Sequence, residues 1–186
     1  MLIILGIIVA FAIAVLLLIL SVMTVFALVK QRPLPKKLLI ATLSGMVVLA
    51  SIFVYEHYLF TFEEINTTNM QEGPGPLESP DETFEVSAYY EPYGGAAGGV
   101  NVWVEVVSDT SDHEPRIIYY SDAKSHFQME WIDDKTLRIE NDDLSYPGQD
   151  RSVTLDVTKE IYHDRGAACR SWVLDQTYET CYEADT

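Results

Sequence analysis

Two long apolar runs open the chain. Residues 2–29 and 38–54 contain no charged side chain, and between them stands one basic turn, Lys30-Gln31-Arg32-Pro33-Leu34-Pro35-Lys36-Lys37. Each run reaches or approaches the roughly 20 residues with which a helix crosses the hydrocarbon core of a bilayer. The pattern therefore predicts a transmembrane helical hairpin over residues 1–60, with spans at about 2–29 and 38–58. Pro33 and Pro35 stiffen the turn, which suits a short antiparallel helix connection. Gly6, Ala10 and Ala14 recur at four-residue intervals in the first run, as Ala41 and Gly45 do in the second. Such spacing lets helices approach closely, within the hairpin or in a homo-oligomer of the chain, although small residues are common in spans and the plainer reading is preferred. Neither apolar run holds an ionisable residue. Such residues mark ion and proton pathways, so the hairpin reads as an anchor and not as a channel or transporter.

Residues 61–82 break the pattern. Glu63, Glu64, Glu72, Asp81 and Glu82, with Gly73-Pro74-Gly75-Pro76 between them, give polarity and breakers with little to bury, which reads as an acidic linker. Within it Asn66-Thr67-Thr68 fits the acceptor pattern for N-glycosylation.

From Thr83 the period becomes two. Phe84, Val86 and Ala88 alternate with Glu85, Ser87 and Tyr89, and after a glycine-rich break Val100, Val102, Val104 and Val106 alternate with Asn101, Trp103, Glu105 and Val107. Two alternating runs about a Gly-rich break predict a hairpin. Further strands are expected at 116–120, 127–132, 136–140 and 153–157. Short connections favour antiparallel pairing, because parallel strands need longer crossovers. The expected fold is thus a transmembrane hairpin followed by an extracytoplasmic, mainly-β domain over 83–165, an antiparallel meander of five to six strands. A tail follows over 166–186. Trp131 shares a strand face with Phe127 and Met129 and lies opposite Glu130, which marks it as a core residue.

Charge orients this arrangement. All 28 acidic residues lie at or beyond Glu56, while Lys30, Arg32, Lys36 and Lys37 occupy the turn. Basic residues in short loops stay on the cytoplasmic side, which predicts a multi-pass protein of the cell membrane with both termini outside. Reading the basic turn as the head of a signal peptide leaves the first run unexplained, and Tyr55-Glu56-His57-Tyr58-Leu59-Phe60 resembles an aromatic belt at the outer interface more than a cleavage site. The bilayer is the one partner the composition implies directly. The formal net charge of −16 argues against nucleic acid, since no basic surface is present to neutralise phosphates.

Candidate chemistry is sparse. Cys169 and Cys181 are the only cysteines, and in an oxidising compartment they are expected to pair as a structural disulfide. A redox-active pair would show the two-residue spacing of oxidoreductase motifs. His57, His113, His126 and His163 lack zinc-site spacings. His163-Asp164 could form a catalytic pair, but an adjacent His and Asp is usually a solvated turn. Asn141-Asp142-Asp143 with Asp150, and Asp109 with Asp112, offer oxygen ligands without the spacing of a calcium loop. No cofactor motif is present, and the Gly94–Gly99 run has no following helix with which to cradle phosphate.

Several stretches carry a resemblance. Ser79-Pro80-Asp81, Tyr93-Gly94-Gly95-Ala96, the run from Trp131-Ile132-Asp133-Asp134 to Ile139, and Leu155-Asp156-Val157 with Tyr162 resemble a bacterial domain-of-unknown-function family of small proteins anchored outside the membrane by a helix or a lipid. The similarity spans roughly 78–165. It implies an extracytoplasmic β domain and no known activity. Glu82 stands where a turn glycine is usual, 141–152 looks like an insertion, and the cysteine-bearing tail looks additional. Two function classes remain. The first is a membrane-anchored binding or adaptor module docking a protein or envelope partner, which is the reading preferred here. The second is an extracytoplasmic enzyme or calcium-binding domain using Asp133, Asp134, Asp142 and Asp143, and convergence of these carboxylates in a concave site would favour it.

Overall fold

Leu2–Val29 forms α1 and Lys36–Tyr58 forms α2 in the computed structural model of the chain, which describes residues 2–31, 33, 36–65, 67–95, 98–109, 115–174 and 177–184. Arg32, Asn66, Ala96, Asp112 and His113 of the sequence reading lie outside those residues. The chain divides into two units, Met1–His57 and Tyr58–Thr186.

In the first unit both helices are long and apolar enough to cross a membrane, over Ile7–Ala27 and Lys36–Tyr55. At about 1.5 Å per residue they run to roughly 42 and 35 Å, more than the roughly 30 Å of a hydrocarbon core. Phe11, Leu18, Val22, Ile40 and Val47 are exposed, and a helix apolar all round suits lipid better than water. Ser21, Thr42 and Ser51 donate their hydroxyls to the carbonyls of Leu17, Leu38 and Val47. Each hydroxyl is thus satisfied within its own helix. The two helices meet at Gly45, where an added Cβ would stand 3.0 Å from Ile13 Cγ1. Ala10, Ala14 and Ala41 are exposed instead, so the small-residue stripe of α1 is not what joins the hairpin.

The second unit is mainly β, as the period-two alternation predicts, but its described residues hold ten strands and not five or six. They are β1 Gln71–Glu72, β2 Leu77–Glu78, β3 Phe84–Tyr93, β4 Gly99–Ser108, β5 Arg116–Asp122, β6 His126–Trp131, β7 Thr136–Asp142, β8 Val153–Asp156, β9 Glu160–His163 and β10 Thr180–Tyr182. Two of the additional strands come from the stretch expected to be a spacer. β1 and β2 both pair antiparallel with β3. Between them the Gly73 N–H donates to Ala88 O at 2.8 Å, and the Ala88 N–H donates to Pro74 O at 2.9 Å. The glycines permit this: a Cβ on Gly73 would lie 3.0 Å from Ala88 O, and one on Gly75 would lie 2.8 Å from Val86 O. Residues that read as breakers are therefore those that let one backbone lie flat on another.

The strands form two sheets. One has seven strands in the order β1-β3-β4-β5-β9-β10, with β2 also on β3; the other is β6-β7-β8. β5 pairs with β9 in parallel, and β9 with β10 likewise. This departs from a pure antiparallel meander, because the chain leaves β5, builds the whole three-stranded sheet, and returns with enough length for a parallel crossover. The sheets enclose Val86, Val102, Val104, Ile118 and Tyr119 from one side and Met129, Leu137, Ile139 and Leu155 from the other. One polar bridge crosses this layer: Asn141 Nδ2 donates to Tyr119 Oη at 2.7 Å and to Asp122 O at 3.0 Å.

Trp131 is half-buried at the margin of this core, and its indole N–H donates to Leu77 O at 3.2 Å. The fully buried tryptophan is Trp103, on the opposite face of the seven-stranded sheet. That face is also covered. Tyr89 stacks on Trp103 with ring centroids 5.8 Å apart, and Tyr120, Phe60 and Phe62 surround the His163 ring. The cover is completed by the chain after Gly166, where Ala168 and Ser171 are buried and Ser171 Oγ donates to Phe60 O at 2.7 Å.

Candidate binding cleft

The outward positions of the three-stranded sheet carry an open concavity. Along β7, Leu137, Ile139 and Asn141 point inward, and Arg138 and Glu140 alternate to the outside. These two, with Asp142 at the end of β7, His126 at the start of β6, Ser152 just before β8, Thr154 within it, and Asp143–Ser145 of the connection, line an open cleft of about 850 Å³. Asp142–Ser145 and Ser152 belong to the stretch 141–152, which the sequence marks as an insertion.

Local hydrogen bonding holds that stretch. Asp143 Oδ1 accepts from the Ser145 N–H, Asp150 Oδ1 accepts from the Ser152 N–H, and Ser152 Oγ accepts from the Asn141 N–H. The Ser152 contacts hold the Asp150 carboxyl below the usual carboxylate range. Lys124 Nζ reaches Gln149 Oε1 at 3.3 Å. Anchored at both ends, the stretch leaves Leu144 and Tyr146 91% and 61% exposed, and Leu144 lines the cleft. The floor is charged in both senses: His126 Nε2 lies 3.5 Å from Glu140 Oε2, Arg138 stands beside them, and Asp142 Oδ1 is shielded without a hydrogen-bond donor.

The carboxylates singled out by sequence do not converge. Asp133 and Asp134 lie in the β6–β7 turn, where Asp133 Oδ1 accepts from the N–H groups of Lys135 and Thr136 at 2.9 and 2.8 Å. Those backbone bonds hold its pKa low. Asp142 and Asp143 stand at the other end of β7, about 20 Å or more away at the usual strand rise. Among the described residues no group of three or more His, Cys, Asp or Glu is placed to hold a metal ion. Asp109 lies in a separate shallow acidic hollow with Glu78, Glu82 and Glu85.

His163 and Asp164 are adjacent in space as well as in sequence, but not as a catalytic pair. His163 Nδ1 accepts from the Arg165 N–H at 3.2 Å and stands 4.0 Å from Asp164 Oδ1. Ser121 Oγ donates to Asp164 Oδ2, at 3.3 Å, and not to the imidazole. Burial pushes the His163 pKa down to about 4, with the Asp164 charge acting against it. The ring is a neutral member of an aromatic layer.

The sulfurs of Cys169 and Cys181 stand at disulfide distance, with Cα atoms 5.2 Å apart. Lys36 and Lys37 open α2 and Lys30 follows the end of α1. The cleft itself was not singled out from sequence, although the supposed insertion was its signal. Trp103 was likewise passed over. Its signal was a pair of apolar residues, Trp103 and Val107, on the otherwise polar face of β4.

The chain belongs to a family of unknown function (DUF5412), whose model matches residues 34–166. No curated protein and no solved structure matches it. The family match takes in α2 and β1 to β9 and ends before Cys169 and β10.

Proposed function

We propose that this protein is a membrane-anchored extracytoplasmic binding module, which docks a protein or envelope partner in the cleft over β6, β7 and β8. The observation that carries this reading is the cleft: an open, mixed-charge floor beside an exposed Leu144. An exposed apolar side chain rimmed by polar ones suits a docking surface. In this reading α1 and α2 cross the bilayer, Lys30, Arg32, Lys36 and Lys37 stay on the cytoplasmic side, and both termini are outside.

Two measurements test it. A photo-crosslinking residue at Leu144 in native membranes should yield a discrete adduct that Arg138→Glu abolishes without changing thermal stability, and one at Thr158 should yield none. Adducts insensitive to Arg138→Glu would remove the cleft from the reading. For topology, Gln31→Cys should resist a membrane-impermeant thiol reagent in intact cells and Glu72→Cys should react. Reversed labelling would overturn the orientation.

A further inference from the structure

The turn Trp172-Val173-Leu174 is built in a way that a solvated tail does not require. Ser171 Oγ caps it, accepting from the N–H groups of Val173 and Leu174 at 3.3 and 3.4 Å, and the same hydroxyl donates to Phe60 O. The Trp172 N–H donates to Tyr58 O at 2.9 Å, and the Trp172 ring stacks on Tyr58 with centroids 4.7 Å apart. The turn also lies inside the loop closed by Cys169 and Cys181. Trp172 and Val173 nevertheless remain 63% and 50% exposed. An indole fixed by its own backbone, by a stacked ring and by a capped turn, yet left open on its outer side, is held for a contact.

Its neighbour identifies that contact. Tyr58 is the last residue of α2, three residues beyond the apolar stretch that ends at Tyr55. At about 1.5 Å per residue this places it roughly 4.5 Å past the end of that stretch. The headgroup layer on each side of a hydrocarbon core is of about that thickness or slightly more. A ring stacked on Tyr58, with centroids 4.7 Å apart, is within reach of that layer. Trp and Tyr favour that layer, because each has an apolar body and a polar tip.

We infer that Trp172 and Val173 form an interfacial anchor. They insert into the headgroup boundary of the outer leaflet beside the end of α2, so that the tail holds the domain to the lipid surface at a second point. The inference rests on the membrane-spanning reading of α2. Its partner is the lipid itself and not a protein, and aromatic and apolar contact drives it, so a zwitterionic bilayer suffices.

The test uses the full chain reconstituted in phosphatidylcholine nanodiscs, with lipid either plain or brominated near the headgroup end of its acyl chains. Trp172 is one of three tryptophans; Trp103 is fully buried and Trp131 is half-buried against Leu77. Brominated lipid should quench up to about a third of the wild-type emission, and Trp172→Phe should abolish that quenching while the chain still co-elutes with the discs. Val173→Asp should reduce it. Equal emission in the two lipids, or equal quenching in Trp172→Phe, would overturn the anchor and leave the spanning reading standing. Failure of the wild-type chain to enter discs at all would overturn both.

Discussion

The two faces of the seven-stranded sheet are covered in different ways. One packs on β6, β7 and β8 through aliphatic side chains such as Val86, Val104, Leu137 and Leu155, all drawn from strands that follow one another along the chain. The other is aromatic, built on Trp103, Tyr120 and His163, and its cover comes from Phe60, Phe62 and the chain after Gly166. The hydrogen bond from Ser171 Oγ to Phe60 O joins residues 111 apart. The first face is a conventional sandwich core, and the second clasps the two ends of the unit. Loss of the second should release those ends before it unfolds the sheets, since regions held by few contacts open first.

The largest effect should come from Trp103→Ala, which is expected to cost about 3–5 kcal/mol as a large buried aromatic. Trp131→Ala, at the margin of the other core, should cost about 2 kcal/mol, mostly from partial burial and one hydrogen bond. Chemical denaturation of the second unit measures both, and equal losses would erase the distinction between the faces.

A pH titration probes the second face alone. The folded pKa of His163 is lowered to about 4 by burial, from an ordinary value near 6.5. A depressed folded pKa means stability that is fully present above about pH 6.5 and lost as the pH falls toward 4, up to about 3 kcal/mol in all. Proteolysis of the tail should accelerate through that window, and His163→Phe should flatten the dependence. An acid response unchanged in that variant would assign it to another group.

Cys169→Ser should follow, removing about 2–3 kcal/mol of loop-closure stabilisation for a separation of 12 residues. The tail is no independent appendage, for β10 pairs with β9 and Arg116 Nη1 donates to Thr177 O at 3.1 Å. Loosening should therefore begin at β10 and around Trp172, and be seen as faster amide exchange there. Uniform acceleration across β6, β7 and β8 would contradict the clasp. A non-reducing mass measurement checks the bond directly, and two free thiols would remove the premise.

The smallest effect tests a turn. Glu82 has φ of 58°, a left-handed conformation that costs a side-chain-bearing residue about 1 kcal/mol. Glu82→Gly should raise stability by about that amount, with no change in how either face responds to the other variants. A loss of stability would mean that the carboxylate itself supports the turn.

Periodicity carried much of this architecture. Uncharged runs of 17 and 28 residues are long enough to read as apolar helices, and alternation in 84–107 specifies which side of β3 and β4 enters a core, because both follow from local geometry. Sequence left open whether Asp133, Asp134, Asp142 and Asp143 converge, and β7, running straight between the two pairs, keeps them apart. What the sequence could not specify was the second layer. Alternation marks Trp103 as facing away from the first core, and only the return of Phe60, Phe62 and Ser171 across long separations turns that outward face into an interior. Gly73 and Gly75 make the same point: locally they read as flexibility, yet against β3 they permit close backbone approach. Local periods are set by bond geometry within a few residues, whereas coverage of a face depends on which distant segment arrives there, and that was decided by the tertiary structure alone.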